Sequence, residues 1–218
     1  MRKLISSMSA HLRRLRKDNG AVALIEFAFS LPLLLLMGLG GVETANYAVT
    51  HMRVAQIAVS LADNASRAKQ DVASGMPRMR EADVNEAFTA AQLQAANLDI
   101  ADNGRMILSS LEVNADGGQW IHWQRCLGSA PYISSYGVQG DGATGTSVTG
   151  MGPADRRVAA EPGFAVMFAE VVYDYEPIIF ASLIPDRPIR KIAAMYVRDD
   201  RDLSNIFNPS PAAPVRSC

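Results

Sequence analysis

The stretch that decides the architecture is residues 21–42, which read AVALIEFAFSLPLLLLMGLGGV. It carries one charged residue, Glu26, and a helix needs about 20 mainly apolar residues to cross the hydrocarbon core of a bilayer. Residues 1–20 hold six basic groups and one acid, and such a positive flank favours the cytoplasmic side. We therefore predict a basic cytoplasmic leader at 1–20, a single transmembrane helix at 21–42 and an exported remainder.

Two other interpretations apply to an apolar stretch of this kind. A cleavable secretory signal has a shorter apolar core, of about 7–15 residues, and ends at an A-x-A-like site that is not evident here. A buried helix of a soluble protein would not need the flanking positive charge. Length and charge together favour the membrane anchor over both.

The composition bounds the rest of the chain. Its 218 residues are 49% hydrophobic and 20% charged, which excludes a disordered protein. The net charge of −1 gives no reason to expect a nucleic-acid partner.

A helical pattern continues beyond the apolar stretch and predicts a helical extension over 43–74. Small and apolar residues recur there at spacings of three and four, and Gly75 and Pro77 end the pattern. We expect one part of this stripe to pack on a sheet, namely Met52, Ala55, Val59 and Ala62.

Residues 75–204 predict an α+β head in which helices precede an antiparallel sheet of about four strands. Residues 163–175 are apolar on both faces, which is typical of a central strand. A Pro-rich tail, 205–218, is expected to be extended and poorly structured. The predicted elements of the head are a helix at 81–98, strands at 105–113, 119–126, 163–175 and 189–198, and a short helix at 178–184.

Two motifs could point to a ligand site or to catalysis. Gly140, Gly142 and Gly145 form a literal G-x-G-x-x-G, but no strand precedes it and no helix follows, so a surface loop is the better interpretation. His122 could serve an anchored hydrolase, although the chain has no G-x-S-x-G and a lone strand histidine is more often structural. Metal-ligand spacings are absent from the sequence, and we predict no cofactor.

Cys126 and Cys218 are the two cysteines of the chain. Both fall on the predicted exported side, where disulfides persist, so we expect them to form a bridge. Two free thiols, or a bridge to another chain, remain alternatives.

The N-terminal motif resembles the TadE-like pseudopilins, which are minor components of bacterial tight-adherence (Flp, type IVc) pili. The similarity lies in Gly20, the small apolar residues after it, Glu26-Phe27-Ala28 and Leu31-Pro32. Later segments also look like that family, so the resemblance extends from about residue 18 to the C-terminus. These segments are 123–126, 171–177 and 193–198.

The resemblance implies a pilin-like head and a processing step by a prepilin peptidase on the cytoplasmic side. The processing motif would comprise Gly20, Ala21, Glu26 and Phe27, and the new N-terminal amine can meet the glutamate of a neighbouring subunit. Five residues separate Gly20 from Glu26, whereas the family usually has four, so cleavage after Gly20, after Ala21 or not at all stays open. Pro32, which should kink or loosen the helix, and Glu26 are the expected subunit-association residues.

We therefore predict a non-enzymatic, single-pass minor pseudopilin of the bacterial inner membrane. Its N-terminus would be cytoplasmic and its head periplasmic, and it would take part in assembling or initiating an adhesive surface pilus. The expected partners are other pilus subunits and pseudopilins, the inner-membrane assembly platform, a prepilin peptidase and the bilayer. Whether it enters the fibre stays open. A membrane-anchored ligand-binding or sensor domain is the alternative, followed by the anchored hydrolase.

Overall fold

The computed structural model describes residues 20–70, 75–95, 98–179, 184 and 187–218. The chain forms two compact units. The anchor unit comprises Met1–Asn46 and Pro177–Pro185, and the head unit comprises Tyr47–Glu176 and Asp186–Cys218. Nearly all of the predicted leader, residues 1–19, lies outside the described residues.

Helix α1 runs from Gly20 to Arg67 and includes both the apolar stretch and most of the predicted extension. Pro32 lies inside it and does not end it, although its missing N–H removes one bond of the helical ladder. The helix ends at Arg67, earlier than the predicted end at Ser74. Gln70 is no longer helical, because its backbone exchanges two hydrogen bonds with Arg78, at 2.7 and 3.0 Å.

A buried cation explains why α1 ends where it does. The Arg201 guanidinium donates to the carbonyl oxygens of Ser66 at 2.6 Å and of Ala68 at 2.9 Å. These groups belong to the last turn, where helix carbonyls lack partners and positive charge is stabilising. Asp199 accepts from Arg201 Nε at 3.0 Å and pairs with Lys69 Nζ at 3.0 Å, which balances the buried charge.

The head unit is built on a four-stranded antiparallel sheet in the order β3-β2-β4-β5. The predicted α+β fold with about four antiparallel strands is confirmed. The strands are β2 (Gly104–Val113), β3 (Gln119–Leu127), β4 (Val166–Tyr173) and β5 (Ile189–Tyr196). The β2–β3 hairpin turns at Asn114, whose side-chain oxygen accepts from the N–H groups of Asp116 and Gly118 at 2.9 and 2.8 Å.

Strand β4 is one of the two inner strands of this sheet, and all of its residues are buried. One face of β4 shares an apolar cluster with the head-unit part of α1, as predicted. The other face, with Val166 and Phe168, packs on Met151 and Ala160 from the long connection before it. A central strand covered on both sides explains why apolar residues occupy both faces.

The stripe of α1 that packs on the sheet differs from the predicted one. Met52 and Val59 are 58% and 46% exposed, while the larger residues on the neighbouring face are buried. Ala62 of the predicted stripe is fully buried as expected, and the buried face as a whole repeats at the spacing of an amphipathic helix. The buried α1 residues of this cluster are Val54, Ile57, Ala58, Leu61, Ala62 and Ala65.

Helix α2 (Glu81–Gln94) also packs in this cluster, through Val84, Phe88 and Ala91. It starts where predicted, because Asp83 accepts from the Arg80 backbone N–H at 2.9 Å and so satisfies a free helix donor. It ends at Gln94, before the predicted Leu98, and residues 96–97 lie outside the described residues.

A second, two-stranded parallel sheet was not predicted. It pairs β1 (Arg78–Arg80) with β6 (Asp202–Phe207), and β6 runs into the segment predicted to be a poorly structured tail. The tail beyond it is also held, since Arg216 donates to Asn85 Oδ1 at 2.7 Å. The predicted tail is therefore a strand up to Phe207, and beyond that residue it has no helix or strand, as expected, but is held by contacts to residues far away in sequence. The predicted short helix at 178–184 falls partly on undescribed residues, and Ile178 and Ile179 are not helical.

We expect Phe168→Ala to destabilise the head by about 3–5 kcal/mol, the usual cost of removing a buried phenylalanine side chain. Phe168 is 1% exposed and makes an edge-to-face contact with Tyr136. Phe164→Ala, at a residue that is 39% exposed and lies just before β4, is the matched control and should cost much less. Denaturant unfolding monitored by near-UV circular dichroism measures both. Equal losses would contradict the assignment of Phe168 to the core.

The contacts of Asp199 with Arg201 and Lys69 should make the stability of the head depend on pH in the acid range. Burial alone favours the protonated acid, but hydrogen bonds from Arg201 and Lys69 outweigh it and lower the pKa of Asp199 below its ordinary value of 3.8. The stabilisation is therefore complete above pH 3.8 and is lost as pH falls through the lower folded pKa. Wild type should be more stable than Asp199→Asn at neutral pH, and the difference should shrink below pH 3.8.

Thermal unfolding of the two proteins across that pH range tests this expectation. Asp155→Asn is the control, because the Asp155 side chain is 74% exposed and pairs only with its exposed neighbour Arg156. A difference between wild type and Asp199→Asn that does not change with pH would refute the linkage.

Candidate functional site

The first part of α1 exposes almost all of its side chains, although they are apolar. Phe29 is 80% exposed and Leu24 70%, and the segment up to Val42 has no protein cover among the described residues. Among the described residues, α1 is the one helix that is sufficiently long and apolar to cross a membrane. Such a surface is unfavourable in water and favourable in hydrocarbon, and the helix satisfies its own backbone hydrogen bonds. The segment is suited to a single-pass membrane anchor.

The predicted processing and association residues all lie in this segment. Gly20 is the first residue of α1, and Glu26 and Phe27 are exposed in its second turn. Pro32 follows further along the same helix, and Ser30 Oγ donates to the Phe27 carbonyl at 3.3 Å nearby. The helix therefore presents the Glu26 carboxylate on a surface that is otherwise apolar, where it is available to another chain.

Glu43, directly after the apolar stretch, is a buried acid that the sequence did not single out. Its side chain is fully buried, and its two carboxylate oxygens accept from the backbone N–H groups of Ile178 at 3.3 Å and Ile179 at 2.7 Å. A buried carboxylate is costly unless such charge-assisted bonds compensate it. In the sequence, Glu43 is distinguished only as the first acid after the apolar stretch. Its hydrogen-bond partners are too distant in sequence to be predicted.

The His122 region has the groups of a catalytic triad but not their order. His122 Nδ1 lies 2.9 Å from Glu112 Oε2, and its ring stacks on Trp120. The Ser110 hydroxyl donates to Glu112 Oε1 at 2.7 Å, so the carboxylate lies between the serine and the imidazole. A triad needs the serine on the imidazole, which here has no nucleophile to activate within the described residues. Nor do those residues contain a group of three or more His, Cys, Asp or Glu that could hold a metal ion.

The G-x-G-x-x-G loop covers the tip of the β2–β3 hairpin. Asn114 Nδ2 donates to the carbonyl oxygens of Gly142 and Gly145, both at 2.7 Å, and Asp116 accepts from the Gly145 N–H at 2.7 Å. A Cβ on Gly142 would lie 2.1 Å from the Gln119 carbonyl, so the close approach requires glycine. These glycines let two loops pack together, and the carbonyl oxygens of Gly142 and Gly145 and the Gly145 N–H are bonded to the hairpin.

Cys126 and Cys218 form a disulfide that spans a sequence separation of 92, with their Cα atoms 5.0 Å apart. The bond fastens the tail across β3, where the Cys126 N–H also donates to the Arg216 carbonyl at 2.8 Å. Asn85 Nδ2 of α2 donates to the Pro214 carbonyl at 2.9 Å. The tail is therefore tied to both the sheet and the helix layer.

Comparison with known proteins finds a family match for the first part of α1. Residues 20–63 match the family model of TadE-like protein. The resemblance predicted from Gly20, Glu26-Phe27 and Pro32 is thereby confirmed for this segment, which is consistent with a Tad pilus protein. The TadE-like match ends within α1, so the later segments that look like the family remain a prediction. No curated protein and no solved structure matches the chain.

We expect loss of the disulfide to destabilise the head by up to about 4 kcal/mol, because the unfolded chain regains the entropy of a long closed loop. The double variant Cys126→Ser with Cys218→Ser tests this in denaturant unfolding at neutral pH. Asn85→Ala, which removes hydrogen bonds to the tail but keeps the disulfide, is the control and should cost no more than about 1–2 kcal/mol. Equal midpoints for the double variant and oxidised wild type would contradict the expectation.

Proposed function

We propose that this protein is a non-enzymatic, single-pass membrane protein of a Tad-type pilus system, and that it acts as a minor pseudopilin in assembly or initiation of the fibre. The observation that supports this best is the TadE-like match over residues 20–63, which covers the apolar helix with its single acid. The basic residues at 1–20 favour a cytoplasmic N-terminus, and the head would then face the periplasm. The Cys126–Cys218 disulfide fits an oxidising compartment.

Glu26 would be the residue through which subunits associate. An acid within a membrane span is costly for insertion, by about 2.5–3.5 kcal/mol at the centre, so its retention calls for a partner. Its surroundings on α1 are apolar and exposed, and a cation from another subunit would be strongly attracted in that low dielectric. The N-terminal amine of a processed neighbour has the chemistry required, with cleavage after Gly20 or Ala21 as the two candidate positions.

The remaining partners follow from the same proposal. They are other pilus subunits and pseudopilins, the inner-membrane assembly platform, a prepilin peptidase and the lipid bilayer. The head would supply the surface that distinguishes this subunit from others.

The alternative functions have less support. A ligand site in the Gly-rich loop would need its backbone groups, yet the Gly145 N–H and the carbonyl oxygens of Gly142 and Gly145 already bond to the hairpin. A hydrolase would need a nucleophile on His122, whose neighbour is the Glu112 carboxylate.

We expect Glu26→Gln to leave membrane insertion intact and to reduce the number of surface pili by about tenfold or more, the effect of losing ~1.4 kcal/mol of association energy. Glutamine keeps the size and removes the charge, which a bilayer favours. Pili are counted by electron microscopy in a strain whose own copy is deleted and replaced by each variant. Ser30→Ala, on the same helix, is the matched control and should restore wild-type piliation.

A periplasmically active reporter fused after Cys218 separates defective export from defective assembly. Its activity should be the same in wild type and in Glu26→Gln. Normal piliation by Glu26→Gln would remove the association role, and full piliation of the deletion strain would remove the pilus function altogether. Absence of reporter activity in the wild-type fusion would contradict the proposed topology.

A further inference from the structure

The anchor unit contains a second apolar segment besides α1. Pro177–Pro185 belongs to this unit together with the N-terminal part of the chain. Between these two prolines the sequence has no charged residue, and Glu176 and Asp186 flank it. Ile178 is 68% exposed, and Ile179 is half-buried. Transfer of an exposed isoleucine from water to an apolar environment is favourable.

Glu43 fixes where this segment lies along α1. Its carboxylate oxygens accept from the Ile178 N–H at 3.3 Å and from the Ile179 N–H at 2.7 Å, and its side chain is fully buried. Glu43 is the residue immediately after the apolar stretch 21–42. Because a helix rises about 1.5 Å per residue, atoms bonded to Glu43 lie within a few ångströms of the point where the span ends.

The same hydrogen bonds remove an obstacle to contact with lipid. Irregular backbone is excluded from an apolar medium because each unpaired N–H costs several kcal/mol. The N–H groups of Ile178 and Ile179 are satisfied by Glu43, and Pro177 has no N–H to satisfy. The described start of the segment can therefore enter the boundary between headgroups and acyl chains without unpaired donors.

We propose that Ile178 and Ile179, tethered by Glu43, form a second membrane contact that inserts at the lipid boundary where the α1 span ends. The occupant of this surface is the bilayer itself, because the covalent continuity of Glu43 with the span places the isoleucines at that depth. Apolar groups at this boundary enter the bilayer by about 5–10 Å, a depth that a short segment such as Ile178–Ile179 can reach. This inference rests on the membrane anchor of the proposed function and is independent of the pilus role.

The contact can be measured with an environment-sensitive label on the full-length protein in pure lipid vesicles. Ile178→Cys provides one reactive thiol, because Cys126 and Cys218 are bonded to each other. The NBD fluorophore on this thiol should show blue-shifted emission and strong quenching by doxyl-labelled lipids. Ile133→Cys, at a residue that is 78% exposed in the head unit, is the matched control and should show water-like emission with little quenching. Equal, weak quenching at both positions would overturn the proposal.

Glu43 is tested as the tether on the Ile178→Cys background. Glu43→Ala should lower the quenching at residue 178 several-fold, because the backbone N–H groups lose their acceptor and the segment returns to water. Glu161→Ala, which removes an exposed acid of the head unit, should leave the quenching unchanged. Unchanged quenching in Glu43→Ala would refute the tether. Near-UV circular dichroism of each variant checks that the head is folded, so that the quenching values can be compared.

Dilution of the protein in lipid distinguishes the bilayer from a second copy of the chain. Quenching by lipid that stays constant as the protein-to-lipid ratio falls supports the proposal. An emission shift that disappears on dilution would assign the surface to self-association and overturn it. Since the vesicles contain no other pilus component, a negative result here leaves the piliation experiments with Glu26 unaffected, and a failure of those experiments leaves this contact standing.

Discussion

The constraint on which the rest of the structure depends is that helix α1 must satisfy two different surroundings along one continuous element. Up to Val42 its side chains are mostly apolar and uncovered, so that surface is favourable in apolar surroundings and unfavourable in water. In the head unit, one face of the same helix is buried with the central strand β4, and its other face is exposed. The side-chain pattern of α1 therefore changes along the helix. The apolar part is suited to anchoring, and the amphipathic part packs in the core of the head.

Burial of β4 on both faces organises the head. Its helix-facing residues join α1 and α2 in one cluster, while Val166 and Phe168 need the long connection after β3 as a cover. The glycine-rich loop of that connection is held to the β2–β3 hairpin by two side chains. Asn114 donates to the Gly142 and Gly145 carbonyls, and Asp116 accepts from the Gly145 N–H. The G-x-G-x-x-G loop is therefore a packing element of the head.

Charged residues at the ends of elements hold these layers together. Arg201 closes the last turn of α1, and Glu81 at the start of α2 forms a buried ion pair with Arg125 of β3. Each is a buried charge with hydrogen-bonded partners, and removal of one partner would leave the other uncompensated. The tail adds a covalent fastening through Cys126 and Cys218. Such ties resist displacement of the helices and the tail from the sheet.

The sequence alone determined those features that depend on local pattern. The length of the apolar stretch and its basic flank indicated the anchor, and Glu26 with its neighbours indicated the TadE-like resemblance that the match over 20–63 supports. Alternation and turn residues located the four strands of the main sheet, because side-chain direction repeats every two residues along a strand.

Only the tertiary structure decided which face of α1 is buried, since apolar residues recur at helical spacing on neighbouring faces and the contact with the sheet selects Val54, Ile57 and Leu61. It also decided the pairing of β1 with β6, the Arg201 cap and the partners of Glu43, because each joins residues distant in sequence that no local pattern brings together.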